Sequence, residues 1–197
     1  VVNGVFDIEL TQIDDIQIHA LAEQIDREVL RNYFSKVWQP ETKKYKYSGL
    51  SIIDEVNSMN PSAVVDIGCG HNEFKGKINN LIGIDPYNDK ADISVHTLDY
   101  KPDTAYDVAI CLGSINFGSS DKILGELENV VSMVKSGGFL NFNVNPGIQH
   151  EKPAAKWINF YDWDPIFISN AAKHLKCNVL TLRQDDGDRF YFVLRKK

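Results

Sequence analysis

The chain is 197 residues long, 43% hydrophobic and 24% charged, the profile of one soluble globular domain or of one domain with a small appendage, which excludes disordered, collagenous and coiled-coil classes. The net charge of −6 argues against a bulk electrostatic grip on nucleic acid, the positive residues being scattered apart from Lys43, Lys44, Lys46 and the terminal Arg195, Lys196 and Lys197. No apolar stretch approaches the roughly 18 residues needed to span a bilayer.

The first fifteen residues are acidic and lack the basic region and long apolar core of a secretory signal. Cys69, Cys111 and Cys177 form neither a disulfide framework nor a Cys-x-x-Cys metal spacing. Together these features predict a cytoplasmic protein, and a chain that begins at Val1 leaves room for an earlier start. From residue 13 to about 37 the apolar positions Ile16, Ile18, Leu21, Ile25, Val29, Leu30 and Phe34 fall mostly three or four apart, the stripe of an amphipathic helix capped by Asp14 or Asp15. Gln39-Pro40 ends it, and a second helix fits residues 48–59, stopped at Asn60-Pro61.

Short β-rich runs then alternate with helical ones, at residues 63–67, 81–84, 93–96, 107–112 and 139–144, an α/β order. The run at 107–112 is almost wholly apolar, as suits a strand buried on both faces of a parallel sheet. A helical stripe of Ile123, Leu124, Leu127, Val130, Val131 and Val134 precedes the last of these strands, closed by Gly137-Gly138. Asp164-Pro165 opens a helix to about Leu175. Two strands at 178–183 and 189–194, joined by an Asp-Gly turn, close the chain as an antiparallel hairpin.

The sharpest local feature is Val64-Val65-Asp66-Ile67-Gly68-Cys69-Gly70-His71, a strand running straight into a Gly-x-Gly turn. Glycines there let the backbone turn tightly and let a ligand approach closer than a Cβ permits. Asp85 follows Gly68 by seventeen residues and closes the second strand, near the roughly 20-residue offset at which a carboxylate meets ribose hydroxyls. The loop alone fits an ordinary tight βα turn; with Asp66, Asp85 and the α/β order it points to a nucleoside site. Two departures separate it from the dinucleotide pattern: Glu73 stands where the third glycine would be, and Asp66 precedes the loop by two residues. A pyrophosphate is disfavoured beside that carboxylate, which argues against a nicotinamide dehydrogenase, whereas a cationic ligand is favoured.

Asp66-Ile-Gly-Cys-Gly70, Gly83-Ile-Asp85-Pro86, Tyr106-Asp-Val-Ala-Ile110 and Val134-Lys-Ser-Gly-Gly138 together resemble the successive motifs of the class I S-adenosylmethionine-dependent methyltransferases, over residues 62–145. The resemblance implies a three-layer α/β/α Rossmann-like sandwich, with a seven-stranded, mostly parallel sheet, a C-terminal antiparallel hairpin and a helical N-terminal cap. The division is a cap over residues 1–60 and an S-adenosylmethionine-binding domain over 61–197. It further implies Asp66 and the backbone of Gly68, Cys69 and Gly70 around the methionine moiety of S-adenosylmethionine, and Asp85, followed by Pro86, on the ribose hydroxyls. Asp99 with Tyr100 falls near the adenine, and Cys111, Leu112 and Gly113 along the cofactor's other side. Asn72 stands where the family often has a small residue, and residues 71–80 are about one helical turn short, so a stubby first crossover helix and a more open site are expected.

Methyl transfer from a sulfonium needs alignment and, for hydroxyl or amine acceptors, a route for the proton. Residues 113–121 lack the Asp/Asn-Pro-Pro-aromatic signature of amino-methylating DNA enzymes, and no Pro-Cys nucleophile follows; a small-molecule acceptor is the expected partner. His71, at the glycine loop, and His150, after the fifth strand, are the acid-base candidates. Asn116, with Ser114, is a candidate hydrogen-bonder to an acceptor, loop capping being the equal alternative. Of the amides Asn141, Asn143 and Asn145, which share one strand face, Asn145 at the carboxyl end is the candidate to orient substrate. His19, His96 and His174 have no second ligand at metal spacing, so no metal site is expected. Trp157, Phe160, Tyr161, Trp163 and Phe167 fit an acceptor wall or simple packing. Tyr33, Trp38, Tyr45 and Tyr47 fit a lid, with Tyr45 or Tyr47 reaching the methionine carboxylate. Gly68→Val is expected to block the ligand while the fold survives. A non-catalytic nucleoside-binding or assembly module of the same fold is the alternative function.

Overall fold

Val64 to Ile67 form strand β1 (Val64–Ile67), all four residues buried, as a strand with neighbours on both edges and layers on both faces requires. The structure, a computed structural model, describes residues 15–40, 43–146 and 153–197. Strand β1 pairs in parallel with β2 (Leu81–Ile84) on one side and β3 (Tyr106–Leu112) on the other. β4 (Val134–Val144) continues the parallel array next to β3, and the closing hairpin of β5 (Cys177–Gln184) and β6 (Phe190–Lys196) joins through β6, antiparallel to β4. The order is β2-β1-β3-β4-β6-β5.

The period-two alternation of the strands builds a core on each face. Val65, Ile67, Ala109, Cys111, Leu140, Phe142 and Val144 pack under α3 (Ser120–Met133) and α4 (Pro165–His174). Val64, Val108 and Ile110 meet α2 (Ile52–Ser58) on the other face through Ile52 and Val56, together with Phe74 and Ile78. Ile52 and Val56 are fully buried, each worth about 1.5–3 kcal/mol of transfer free energy. Ser119 caps α3 by accepting from the Lys122 N–H, and Asp164 caps α4 by accepting from Ile166 and Phe167. Helix α1 (Asp15–Lys36) buries only its second half, Leu30 and Tyr33 packing with Ala155 and Ile158, while Ile18 is 51% exposed.

Three expectations are corrected. The sheet has six strands among the described residues, because the segment expected as a third parallel strand reaches β2 only through an Ile84–Ile93 bridge. The Gly83 N–H, which a further strand would have bonded, is taken by the Asp92 carboxylate at 2.8 Å. Residues 71–80 form turns rather than a stubby helix: Asn72, Gly76 and Asn80 all hold positive φ, and left-handed residues interrupt a right-handed helix. Helix α3 ends at Met133, and Gly137-Gly138 lie inside β4 instead of closing the helix. No described helix is long and apolar enough to cross a membrane.

Candidate functional site

The carboxyl ends of β1 to β4 converge on one cavity of about 310 Å³, where an open α/β sheet binds its ligands. Strand β6 runs the other way, so its first residues reach the same end. Helix α1 and, beyond it, Trp38, Gln39, Pro40, Tyr45, Ser48 and Gly49 supply further walls.

The glycine loop forms the floor. Gly68 and Gly70 hold φ of 66° and 53°, a region costly to residues with a Cβ. A Cβ on Gly68 would lie 2.3 Å from Ser114 Cβ, and one on Gly70 2.6 Å from the Trp38 ring. Both glycines are therefore demanded by the chain's own packing before any ligand is considered. Gly68→Val, expected from sequence to leave the fold intact, collides with Ser114 and strains the turn, which makes it a folding variant as well.

Asp85 organises the loop from the end of β2. One carboxylate oxygen accepts from the Gly70 N–H at 3.0 Å; the other accepts from Tyr87 at 2.7 Å and Asn88 at 2.9 Å. Its neighbour Asp66 is buried and lines the cavity, yet its carboxylate accepts no hydrogen bond among the described residues. Burial first, and the Asp85 charge second, push the Asp66 carboxyl up to about 7. An acid whose folded pKa exceeds its unfolded value near 3.9 is held protonated by folding. That contribution is present at low pH and is lost as pH rises through the folded value. Asp66→Asn, which cannot ionise, is expected to gain thermal stability relative to wild type between about pH 4 and about pH 8 without ligand. Parallel melting curves across that range would contradict it.

Of the eleven residues expected around the cofactor, nine line the cavity: Asp66, Gly68, Cys69, Gly70, Asp85, Pro86, Asp99, Leu112 and Gly113. The Cys111 side chain instead points into the α3 core and is fully buried, which raises its thiol pKa well above the ordinary value. Tyr100 turns from the cavity to share a 2.6 Å hydrogen bond with the Tyr106 hydroxyl. Cys69 is partly buried, and burial with Asp66 and Asp85 nearby keeps its thiol protonated.

The acceptor-side candidates divide. Asn116 lines the cavity, though its Oδ1 is engaged by the Asn145 N–H at 2.9 Å. Asn145 is buried outside the cavity wall; of the three amides it is Asn143 that reaches the wall, where it donates to Ser48 Oγ. His71 packs edge-on against Trp38, off the wall. His150 lies outside the described residues. Among the aromatics, Phe160 lines the cavity, Trp157 is 70% exposed, and Tyr161, Trp163 and Phe167 pack together on the α3 and α4 core.

Sequence reading missed several wall residues. Phe34 stacks parallel to Tyr87 at 6.2 Å and meets Phe117 edge-on at 5.4 Å, and Phe117 continues to Phe160 at 5.4 Å, giving the cavity an aromatic roof. Glu126 and His96 line it too. Burial raises the Glu126 carboxyl to about 7, and burial with Arg27 nearby lowers His96. The i, i+4 spacing of Lys122 and Glu126 is legible; their facing a cavity is not.

This sheet order, with one closing antiparallel hairpin and a glycine loop after β1, is the class I S-adenosylmethionine-dependent methyltransferase fold, and the chain shares its fold with solved methyltransferase structures. The chain is similar to 1,6-didemethyltoxoflavin-N1-methyltransferase of Burkholderia thailandensis, solved with 1,6-didemethyltoxoflavin and S-adenosylhomocysteine, at TM-score 0.68 and 12% identity, over 96% of this chain and 93% of that one. It is similar to magnesium protoporphyrin IX methyltransferase of Synechocystis, solved with bound S-adenosylmethionine, at TM-score 0.63 and 11% identity, over 96% and 100%. A third is the N-methyltransferase NodS of Bradyrhizobium japonicum with S-adenosylhomocysteine, at TM-score 0.58 and 13% identity, over 88% and 97%. No protein-family model matches the chain, and no curated protein matches it.

Proposed function

We propose that this protein transfers a methyl group from S-adenosylmethionine to a hydroxyl or amine of a small-molecule acceptor. The observation that carries this reading is Asp66, a buried carboxylate with no hydrogen-bond donor among the described residues, set beside the glycine loop on the cavity wall. Such a group calls for a cationic or donor-rich ligand. An α-ammonium beside a sulfonium meets that demand, and a pyrophosphate does not. The buried Ser114 hydroxyl, which has no partner among the described residues, adds a second polar atom on the same wall.

In this reading Asp85, whose oxygens accept from three backbone N–H groups, holds the ribose, and Asp99, which lines the same cavity, meets the adenine; the hydrogen bonds and the lining support these roles. When bound, S-adenosylmethionine supplies an activated methyl on sulfur. The chain's part is to orient the acceptor and exclude water, for which the aromatic roof is suited. Glu126, with its raised pKa, is placed to accept the proton that a hydroxyl or amine releases. The cavity's size, its roof and the acidic net charge support a small acceptor over nucleic acid.

Calorimetric titration with S-adenosylmethionine and S-adenosylhomocysteine, with a nicotinamide dinucleotide as control, tests the reading. Micromolar binding of the two sulfur nucleosides, and none of the dinucleotide, is expected. Binding of neither nucleoside would overturn it in favour of a fold kept for assembly or another ligand.

A further inference from the structure

Arg189 has no motif around it and is brought to the cavity only by topology. It precedes β6 by one residue, and because β6 is antiparallel to β4, that end lies beside the carboxyl ends of β3 and β4. Its guanidinium is held in place on several sides. Nη1 donates to Asn143 Oδ1 at 3.0 Å, the group lies 5.2 Å from the centroid of the Tyr45 ring, and a Cβ on Gly113 would be 3.2 Å from Nη1. Asn143 is itself fixed, donating to Ser48 Oγ at 2.7 Å.

No carboxylate among the described residues lies within ion-pair distance of this guanidinium. A positioned arginine presents a planar fork of donors matched to a carboxylate. Asp66 is its complement: a carboxylate that lines the same cavity and accepts no hydrogen bond among the described residues. A guanidinium and a carboxyl group lining one cavity, neither in an ion pair with the other nor with any other described residue, match a ligand that carries both a carboxylate and an ammonium. An α-amino acid moiety is such a group.

We infer that Arg189 binds the carboxylate of the amino-acid moiety of S-adenosylmethionine while Asp66 receives its ammonium, an inference that rests on the cofactor reading above. Tyr45, with Tyr47 one of the two tyrosines expected from sequence to reach that carboxylate, is the ring over which the guanidinium lies. Arg189 is thus a specificity residue for the intact amino acid over nucleosides that lack the carboxylate.

The test titrates wild type, Arg189→Met and Arg189→Lys with S-adenosylmethionine and with its decarboxylated form, which differ only in the carboxylate. Arg189→Met is expected to weaken S-adenosylmethionine binding by about 10- to 100-fold and to leave the decarboxylated form within about twofold, with Arg189→Lys intermediate because it keeps the charge and loses the fork. Equal losses with both ligands would make Arg189 a purely structural residue and overturn the inference, as would no loss with either. A wild type that binds neither ligand refutes the cofactor reading and this inference with it. A wild type that binds S-adenosylmethionine while Arg189→Met binds it equally well refutes this inference alone.

Discussion

Asp85→Ala is expected to weaken S-adenosylmethionine binding by at least tenfold and to lower the melting temperature of the unliganded protein. The binding loss follows from removing hydrogen bonds to a charged acceptor, about 1.5–3 kcal/mol. The stability loss follows from the structure: the N–H groups of Gly70, Tyr87 and Asn88 all lose their acceptor at once. Because Gly70 is one of the three, the glycine loop loses its anchor to the end of β2, and the ligand's floor loosens with it. Asp85→Asn keeps one carbonyl oxygen and therefore falls between wild type and Ala. The loss should extend to 5′-methylthioadenosine, which retains the ribose and lacks the amino acid, so this variant and Arg189→Met separate the two ends of the site. Calorimetry alongside thermal melts checks both halves, and an affinity unchanged in Asp85→Ala would remove Asp85 from the ribose.

The second large effect is expected far from the glycine loop, at Asp185. Its Oδ1 accepts from the N–H groups of Lys46, Tyr47 and Asp186 at 3.0, 3.1 and 2.9 Å, and its Oδ2 from the Ser48 N–H and hydroxyl at 3.0 and 2.7 Å. One buried side chain thus ties residues 46–48 to the closing hairpin, and with them Tyr45 and Ser48 on the cavity wall. Asp185→Ala leaves several buried donors unpaired at about 1–3 kcal/mol each. Allowing for non-additivity, the expected loss is about 3 kcal/mol or more, a fall in melting temperature of about 6–12 °C for a chain of this size.

The pH dependence has a definite sign. Burial alone would raise the Asp185 carboxyl, but the Ser48 hydroxyl and the backbone N–H groups outweigh it and hold its pKa below the usual carboxylate range. Its stabilisation is therefore complete above the unfolded value near 3.9 and disappears as pH falls through the lower folded value. The gap between wild type and Asp185→Asn in denaturant midpoint should be large at about pH 7 and should shrink below about pH 4. A gap independent of pH would show that charge has no part in the anchor.

The sequence by itself determined what depends on neighbours along the chain. Alternating apolar runs located β1, β2, β3 and the closing hairpin, and the glycine pair after β1, with Asp85 at the end of β2, located the floor of the cavity. These are local properties, fixed by strand periodicity and by turns that tolerate few residue types. Tertiary structure decided the rest. Asp92 caps β2 where a seventh strand was expected, three positive-φ residues abolish the first crossover helix, and Asn143 rather than Asn145 reaches the wall, the Asn145 N–H being turned to Asn116 beyond the end of β4. Asp185 and Arg189 meet Ser48 and Gly113 across more than seventy positions of sequence. No pattern of spacing records such meetings, because the antiparallel return of β6 past β4 creates them, and a reversal of strand direction is set by how the sheet closes, not by the residues that the reversal brings together.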